Sequence, residues 1–401
     1  LQRVGMNRRG LGRVRMVTMP DTGAVMVVDD DKTVAGSAHT APDTQRRWVF
    51  VDVLNVVACL AVILLHVSLN AFSPEPSRTW VEAVAFQAVG IFAVPVYFMI
   101  SGMNLLGYQR RYSTRTFFRK RLWRVGKALV LASLVCYLLF GLFPSAFGTQ
   151  AVADSFGPVD FVKRFLADDI NSFYWFLYSI IYLYMITPLL SLAADDKRLM
   201  QYLIVVDFAI AWGVPLLERL GVAERYLESL LHWPLYMSQD MLYFLLGYYL
   251  IHHVEWRVPA WVWLLVAGAA AAVMFGTALW TNGYFSGGLS GEYHNYAVNG
   301  SPVRVVESVA VFMLLRECEP RLRAVPERAR GLIRVLSGAV LGVYLFHLPV
   351  INWLTANVHG AFGDALARYP LLRLVVIYAV TVVIVIAVKR LIAVARNAIR
   401  R

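Results

Sequence analysis

The sequence predicts an all-α fold, a polytopic membrane helical bundle of about ten transmembrane helices with both termini cytoplasmic. Three observations lead there. Of the 401 residues, 59% are hydrophobic and only 16% charged, against roughly 45–50% and 25% in soluble domains, and mean hydropathy is +0.57. A soluble fold of this composition would lack the polar side chains to cover its surface. That excludes a disulfide scaffold, a disordered chain and an ordinary soluble enzyme. Ten apolar stretches follow one another, each close to the roughly 20 residues that cross about 30 Å of hydrocarbon. Finally, Lys and Arg are segregated between the connections.

Residues 1–46 contain no spanning run. Arg8, Arg9, Arg13 and Arg15 precede the acidic Asp29, Asp30 and Asp31 and a polar stretch, the pattern of a disordered cytoplasmic tail rather than a signal peptide. The spans are then expected near 49–70, 82–107, 126–147, 173–193, 201–218, 235–252, 259–281, 302–316, 336–355 and 370–389. The fifth and eighth are the weakest, since they contain Asp207 and Glu307. The domain they build covers 47–392, and residues 393–401 form a basic cytoplasmic tail. Eight of the 38 Lys/Arg fall on one side, namely Arg78, Lys163, Arg164, Arg219, Arg225, Arg304, Arg368 and Arg373. The rest fall with the two tails, which places both tails in the cytoplasm.

The net charge of +12 is explained by this topogenic bias and does not call for a nucleic-acid partner. Cys59, Cys136 and Cys318 lack metal-ligand spacing and read as two buried apolar side chains and a loop thiol; no metal is expected. The Gly-rich connection 282–301 carries Tyr284, Phe285, Tyr293 and Tyr296, either a flexible link or stacking faces for a sugar.

Ionisable side chains inside a membrane are costly, and so point to function. His66 lies 19 residues after Arg47, about 28 Å along the first helix. It reads either as a structural histidine or as a general base in a pocket open to the outside. His347, two residues before Pro349 on the ninth span, is balanced between packing and site. Glu307 has Arg304 one turn away, while Asp207 lacks a local partner.

The connection 108–127 holds Arg110, Arg111, Arg115, Arg119, Lys120, Arg121, Arg124 and Lys127, interleaved with Phe117, Phe118 and Trp123. Orientation and anionic membrane lipids account for part of this charge. The rest suits a polyanionic ligand with an aromatic base, such as coenzyme A or a nucleotide.

Taken together, five segments resemble the integral-membrane acyltransferases of the acyltransferase-3 type, nearest the surface-polysaccharide O-acetyltransferase group. RRWVFVDVLNVVACLAVILLHVS, with Asp52 and His66, is similar to the family's first helix. VPVYFMISGMNLL, with Pro95, Phe98, Ser101 and Gly102, resembles the second-helix signature. FFRKRLWRVGKALV, with Arg121 and Arg124, resembles the basic start of the third helix. FYWFLYSIIYLYMITPLLS, with Trp175, Tyr178, Tyr184 and Pro188, resembles the fourth, and GVYLFHLPV, with Tyr344 and His347, the motif near the end. The likeness runs from about 46 to 392. In one departure, Asn55 stands where family members commonly carry an Arg.

The resemblance implies acyl transfer, acetyl above others, from an acyl-CoA co-substrate to a hydroxyl of a cell-envelope polysaccharide or glycolipid, in a bacterial plasma membrane. Arg119, Arg121 and Arg124 are expected to hold the donor's phosphates, with Asn55 and Ser101 along its path. Trp175 and Asp52 are expected on the substrate. His66 is the expected base, with His347 or Tyr178 steadying the oxyanion. A transporter or flippase for a glycan or small acylated molecule is the alternative, disfavoured by the absence of inverted repeats and paired broken spans.

Overall fold

The computed structural model describes residues 47–220, 238–289, 298 and 300–399. Its long helices are α1 Val49–Val67, α2 Arg78–Gly90, α3 Ala93–Leu105, α4 Trp123–Leu142, α5 Trp175–Leu190, α6 Lys197–Phe208, α7 Gln239–His252, α8 Ala260–Thr281, α9 Val303–Glu317, α10 Glu327–Asn357 and α11 Pro370–Ile399. No strand occurs among the described residues, as the composition predicts.

Eight helical segments among the described residues have the length and apolarity to cross a membrane. The expected fifth span is one of them: α6 continues through a π turn at Ala209–Gly213 into Val214–Arg219, so the segment Lys197–Leu217 runs 21 residues. The sixth and eighth come out shorter. α7 has 14 residues and α9 has 15. Both are largely walled in by protein, α7 burying Met241 to Leu245, Gly247, Tyr248 and Leu250, so neither has to match the thickness of lipid on its own. The start of the expected sixth span, 235–237, lies outside the described residues, as does the tail 1–46. α11 runs on to Ile399, through most of the segment read as a basic tail.

α1 is the central helix. One face joins the main core with α2, α3 and α9, through Phe50, Leu54, Ala58, Val62 and Leu65. The other packs Cys59, Ile63 and Val67 against Ala339, Val343 and Ile351 of α10 and Ile377 and Val385 of α11. No side chain of α1 caps its own start. The amides of Val49 and Phe50 instead donate to Glu319, at 3.3 and 2.7 Å, and Arg323 pairs with the same carboxylate at 2.5 Å. A carboxylate there also complements the positive end of the helix dipole.

α3 and α7 lie backbone to backbone. A Cβ on Gly102 would fall 1.8 Å from the Phe244 carbonyl oxygen, and one on Gly247 2.0 Å from that of Met99. Small residues let membrane helices approach in this way. The second expected span bends between α2 and α3 just before Pro95, which has no N–H to give the Ile91 carbonyl. Outward, α4, α5 and α11 present Leu131, Leu138, Met185, Leu189, Val375 and Val383 uncovered, an apolar belt suited to lipid tails.

Candidate active site

His66 sits in the last turn of α1 and His347 two-thirds of the way along α10, and the packing of these helices brings the rings together. Nδ1 of His66 and Nε2 of His347 are 2.7 Å apart. The proton positions follow from the partners. Nδ1 of His347 faces the carbonyl oxygens of Tyr344 at 2.7 Å and Val343 at 3.2 Å; carbonyls only accept, so this nitrogen donates. In a neutral ring Nε2 is then an acceptor, and His66 must donate to it from Nδ1. That leaves the lone pair of His66 on Nε2, the arrangement a general base needs.

Several contacts hold the pair. The His66 ring stacks on Phe173, centroids 3.5 Å apart and planes 2° from parallel. The Tyr344 hydroxyl donates to the Phe173 carbonyl. Pro349 lacks the N–H that would bind the Leu345 carbonyl within α10, and the Tyr174 hydroxyl takes that acceptor at 2.7 Å. His347 is fully buried, while His66 is half-buried and edges a cavity.

That cavity, of about 370 Å³, is lined by His66, Leu65, Gln87, Ile91, Ser172, Phe173, Trp175, Phe176, Tyr344 and Arg304. It is mostly apolar with a few convergent polar groups, the usual make-up of a ligand site. Trp175 is 43% exposed at its edge. The Gln87 amide is committed to the Leu65 carbonyl and to Ser68.

Other residues singled out in the sequence lie elsewhere. Tyr178 donates to the Phe165 carbonyl at 2.5 Å and does not line the cavity, while His347 supports His66 from behind. Asp52 accepts from Ser337 at 2.8 Å, and Ser337 accepts from Asn55 at 3.3 Å. The Asn55 carbonyl takes the Tyr97 hydroxyl. Asn55 lies eleven residues before His66, about 16 Å along α1. The structure thus joins Asp52 and Asn55 to each other and not to the histidine pair.

The basic connection folds as a short helix Thr114–Phe117 and a π turn Phe118–Leu122 ahead of α4. Arg121 turns in, where its charge and the Ser101 side chain act on the Tyr184 hydroxyl. Arg119 and Arg124 are exposed. Others are already engaged: Arg110 with Asp195, Arg111 with the Asn104 carbonyl, and Lys120 over the Tyr112 ring at 5.3 Å.

Sequence reasoning missed three groups. Phe173 and Ser337 carry no signal of their own in the chain; the third, Arg304, was visible as a charge at a span edge but was paired only with Glu307. Asp207 and Glu307 are buried, at 0% and 2% exposure, and both Asp207 oxygens lack a hydrogen-bond partner. Asp168, in the connection before α5, holds a left-handed backbone with φ 55, and burial pushes its carboxyl up to about 6. Tyr284 packs on Trp80, ring centroids 5.9 Å apart, and Phe285 is exposed; Tyr293 and Tyr296 lie outside the described residues. Cys59 and Cys136 are buried and Cys318 half-buried, all free thiols. Among the described residues no group of three or more His, Cys, Asp or Glu is placed to hold a metal ion.

A family model described as an acyltransferase domain, of the acyltransferase-3 type, matches residues 48–390. No curated protein and no solved structure matches the chain.

Proposed function

The chain belongs to the acyltransferase-3 family of integral-membrane acyltransferases, and we propose that it moves an acyl group, acetyl above others, from acyl-CoA to a hydroxyl of a cell-envelope polysaccharide or glycolipid. The observation that supports this most is the tautomer lock: His347 takes the Nδ1 proton of His66 and leaves the Nε2 lone pair to a ring at the edge of a cavity.

In this reading the acceptor hydroxyl enters the cavity beside Trp175 and gives its proton to His66 Nε2 as its oxygen adds to the thioester carbonyl. The intermediate collapses with loss of the thiolate, which recovers the proton. His347 is a positioning residue. Stacking on Phe173 prevents the His66 ring from turning, so the acceptor meets a base already aimed. Arg121, at the far end of the bundle with Ser101 and Tyr184, together with the exposed Arg119 and Arg124, takes the donor's phosphates. Asp52 and Asn55 brace α1 against α10 along the donor's path. The two tails and the basic connection face the cytoplasm, where acyl-CoA is made, and the cavity faces outward.

The test uses the purified protein with acetyl-CoA and envelope glycan. His66→Ala is expected to lower transfer by about 10²–10⁴-fold while acetyl-CoA still binds. Transfer at the wild-type rate by that variant removes His66 from the mechanism.

A further inference from the structure

Acyl transfer makes a second demand beyond a base. As the acceptor oxygen adds, the carbonyl π pair moves onto oxygen, and in a dry site that negative charge needs an aimed donor. The donors around the cavity are mostly spent. His66 Nδ1 donates to His347, the Gln87 amide to Leu65 and Ser68, and the Tyr344 hydroxyl to Phe173. Ser172, Trp175 and Arg304 remain, and of the described lining residues only Arg304 carries a permanent charge.

Resting on the acyl-transfer reading, we infer that Arg304 is a catalytic residue that stabilises the tetrahedral oxyanion across the cavity from His66. A guanidinium donates charge-assisted hydrogen bonds, about twice as strong as neutral ones, so it outweighs a lone hydroxyl or indole.

The surroundings fit a transient anion better than a permanent one. Arg304 opens α9, and its guanidinium carbon lies 5.9 Å from the centre of the Tyr243 ring. The carboxylates of Asp240 and Glu307 are near enough for its charge to act on both, and Asp240 is itself fixed by Ser179 at 2.5 Å. Two acids around one guanidinium leave no surplus charge for an acidic acceptor group held in the ground state. They do hold the guanidinium still, and a fixed dipole is what a charge appearing only in the transition state requires. The balance closes: the hydroxyl proton passes to His66 Nε2, the C–O bond forms, and the pair on the carbonyl oxygen returns as the C–S bond breaks. The departing thiolate takes the proton.

The experiment compares the wild type, Arg304→Gln and Arg304→Lys in detergent. Acetyl-CoA is the donor and methyl glucoside the hydroxyl probe, with thiol release and acetyl ester both measured. Arg304→Gln is expected to lower kcat by about 10²–10³-fold with KM for either substrate moving less than about threefold. Arg304→Lys keeps a charge and recovers part of the loss, which a merely structural role would not show. Where the Gln variant does not fold, judged by thermal unfolding, the Lys variant decides through the same split between kcat and KM. A kcat at the wild-type level, or a change confined to KM for methyl glucoside, overturns the assignment and leaves acyl transfer standing. A wild type that leaves acetyl-CoA untouched overturns both.

Discussion

At the scale of single residues, His66 has little freedom left: one ring nitrogen is bound, one face is stacked, and only Nε2 remains for chemistry. His66 itself was legible in the sequence because an imidazole inside an apolar span is expensive. Its partner's task was not, since nothing in GVYLFHLPV says that His347 meets a helix 281 positions away. Asp168 was invisible for a similar reason, as its burial depends on how the connection folds. Its titration makes a sharp prediction. The folded-state value of about 6 lies above the ordinary 3.8, so between those values the native protein binds more protons than the unfolded chain. Its contribution is therefore present in acid and lost as pH rises through about 6. Asparagine tolerates the same left-handed backbone without titrating. Melting curves of Asp168→Asn and wild type should agree near pH 4 and separate above pH 6, the variant being the more stable. Parallel curves across the range would remove Asp168 as the source.

At the scale of elements, the spans were readable wherever a helix faces lipid, because lipid imposes both length and apolarity. α7 and α9 broke that rule by facing protein, and so came out at 14 and 15 residues. The α3–α7 contact was half legible: Ser101 and Gly102 read as close packing, but Gly247, the reciprocal half, did not stand out in the chain. Gly102→Ala is expected to cost about 1–3 kcal/mol through overpacking, because the Phe244 carbonyl that the new methyl meets is backbone and cannot swing aside. Gly126→Ala is the control. Nothing lies within 4 Å of its added carbon, so it should be neutral or slightly stabilising as a helix former. Equal unfolding temperatures for the two variants would refute the close approach.

At the scale of the whole molecule, charge segregation makes the two ends unlike. One carries the basic connection with Arg119, Arg121 and Arg124; the other carries the cavity with His66 and Trp175. The acyltransferase family, its helical architecture and its membrane residence were all legible from composition and five motifs. The joining of distant helices at the cavity was not, since pairwise packing leaves no local mark. Single cysteines placed at Arg119 and Ser172, in a background freed of Cys59, Cys136 and Cys318, are expected to react with an impermeant thiol reagent from opposite faces of sealed vesicles. Labelling from the same face would defeat the proposed polarity.

The Glu319 carboxylate bears on how the protein is made. It supplies the acceptors for the first amides of α1, yet it is translated about 270 positions later. The nascent first helix therefore leaves the ribosome with its opening amides bound to water, and stays so until nearly four-fifths of the polypeptide has emerged. Chains stalled before Glu319 carry His66 on a helix whose beginning is loose, so the late arrival of a single acid acts as a checkpoint on assembly.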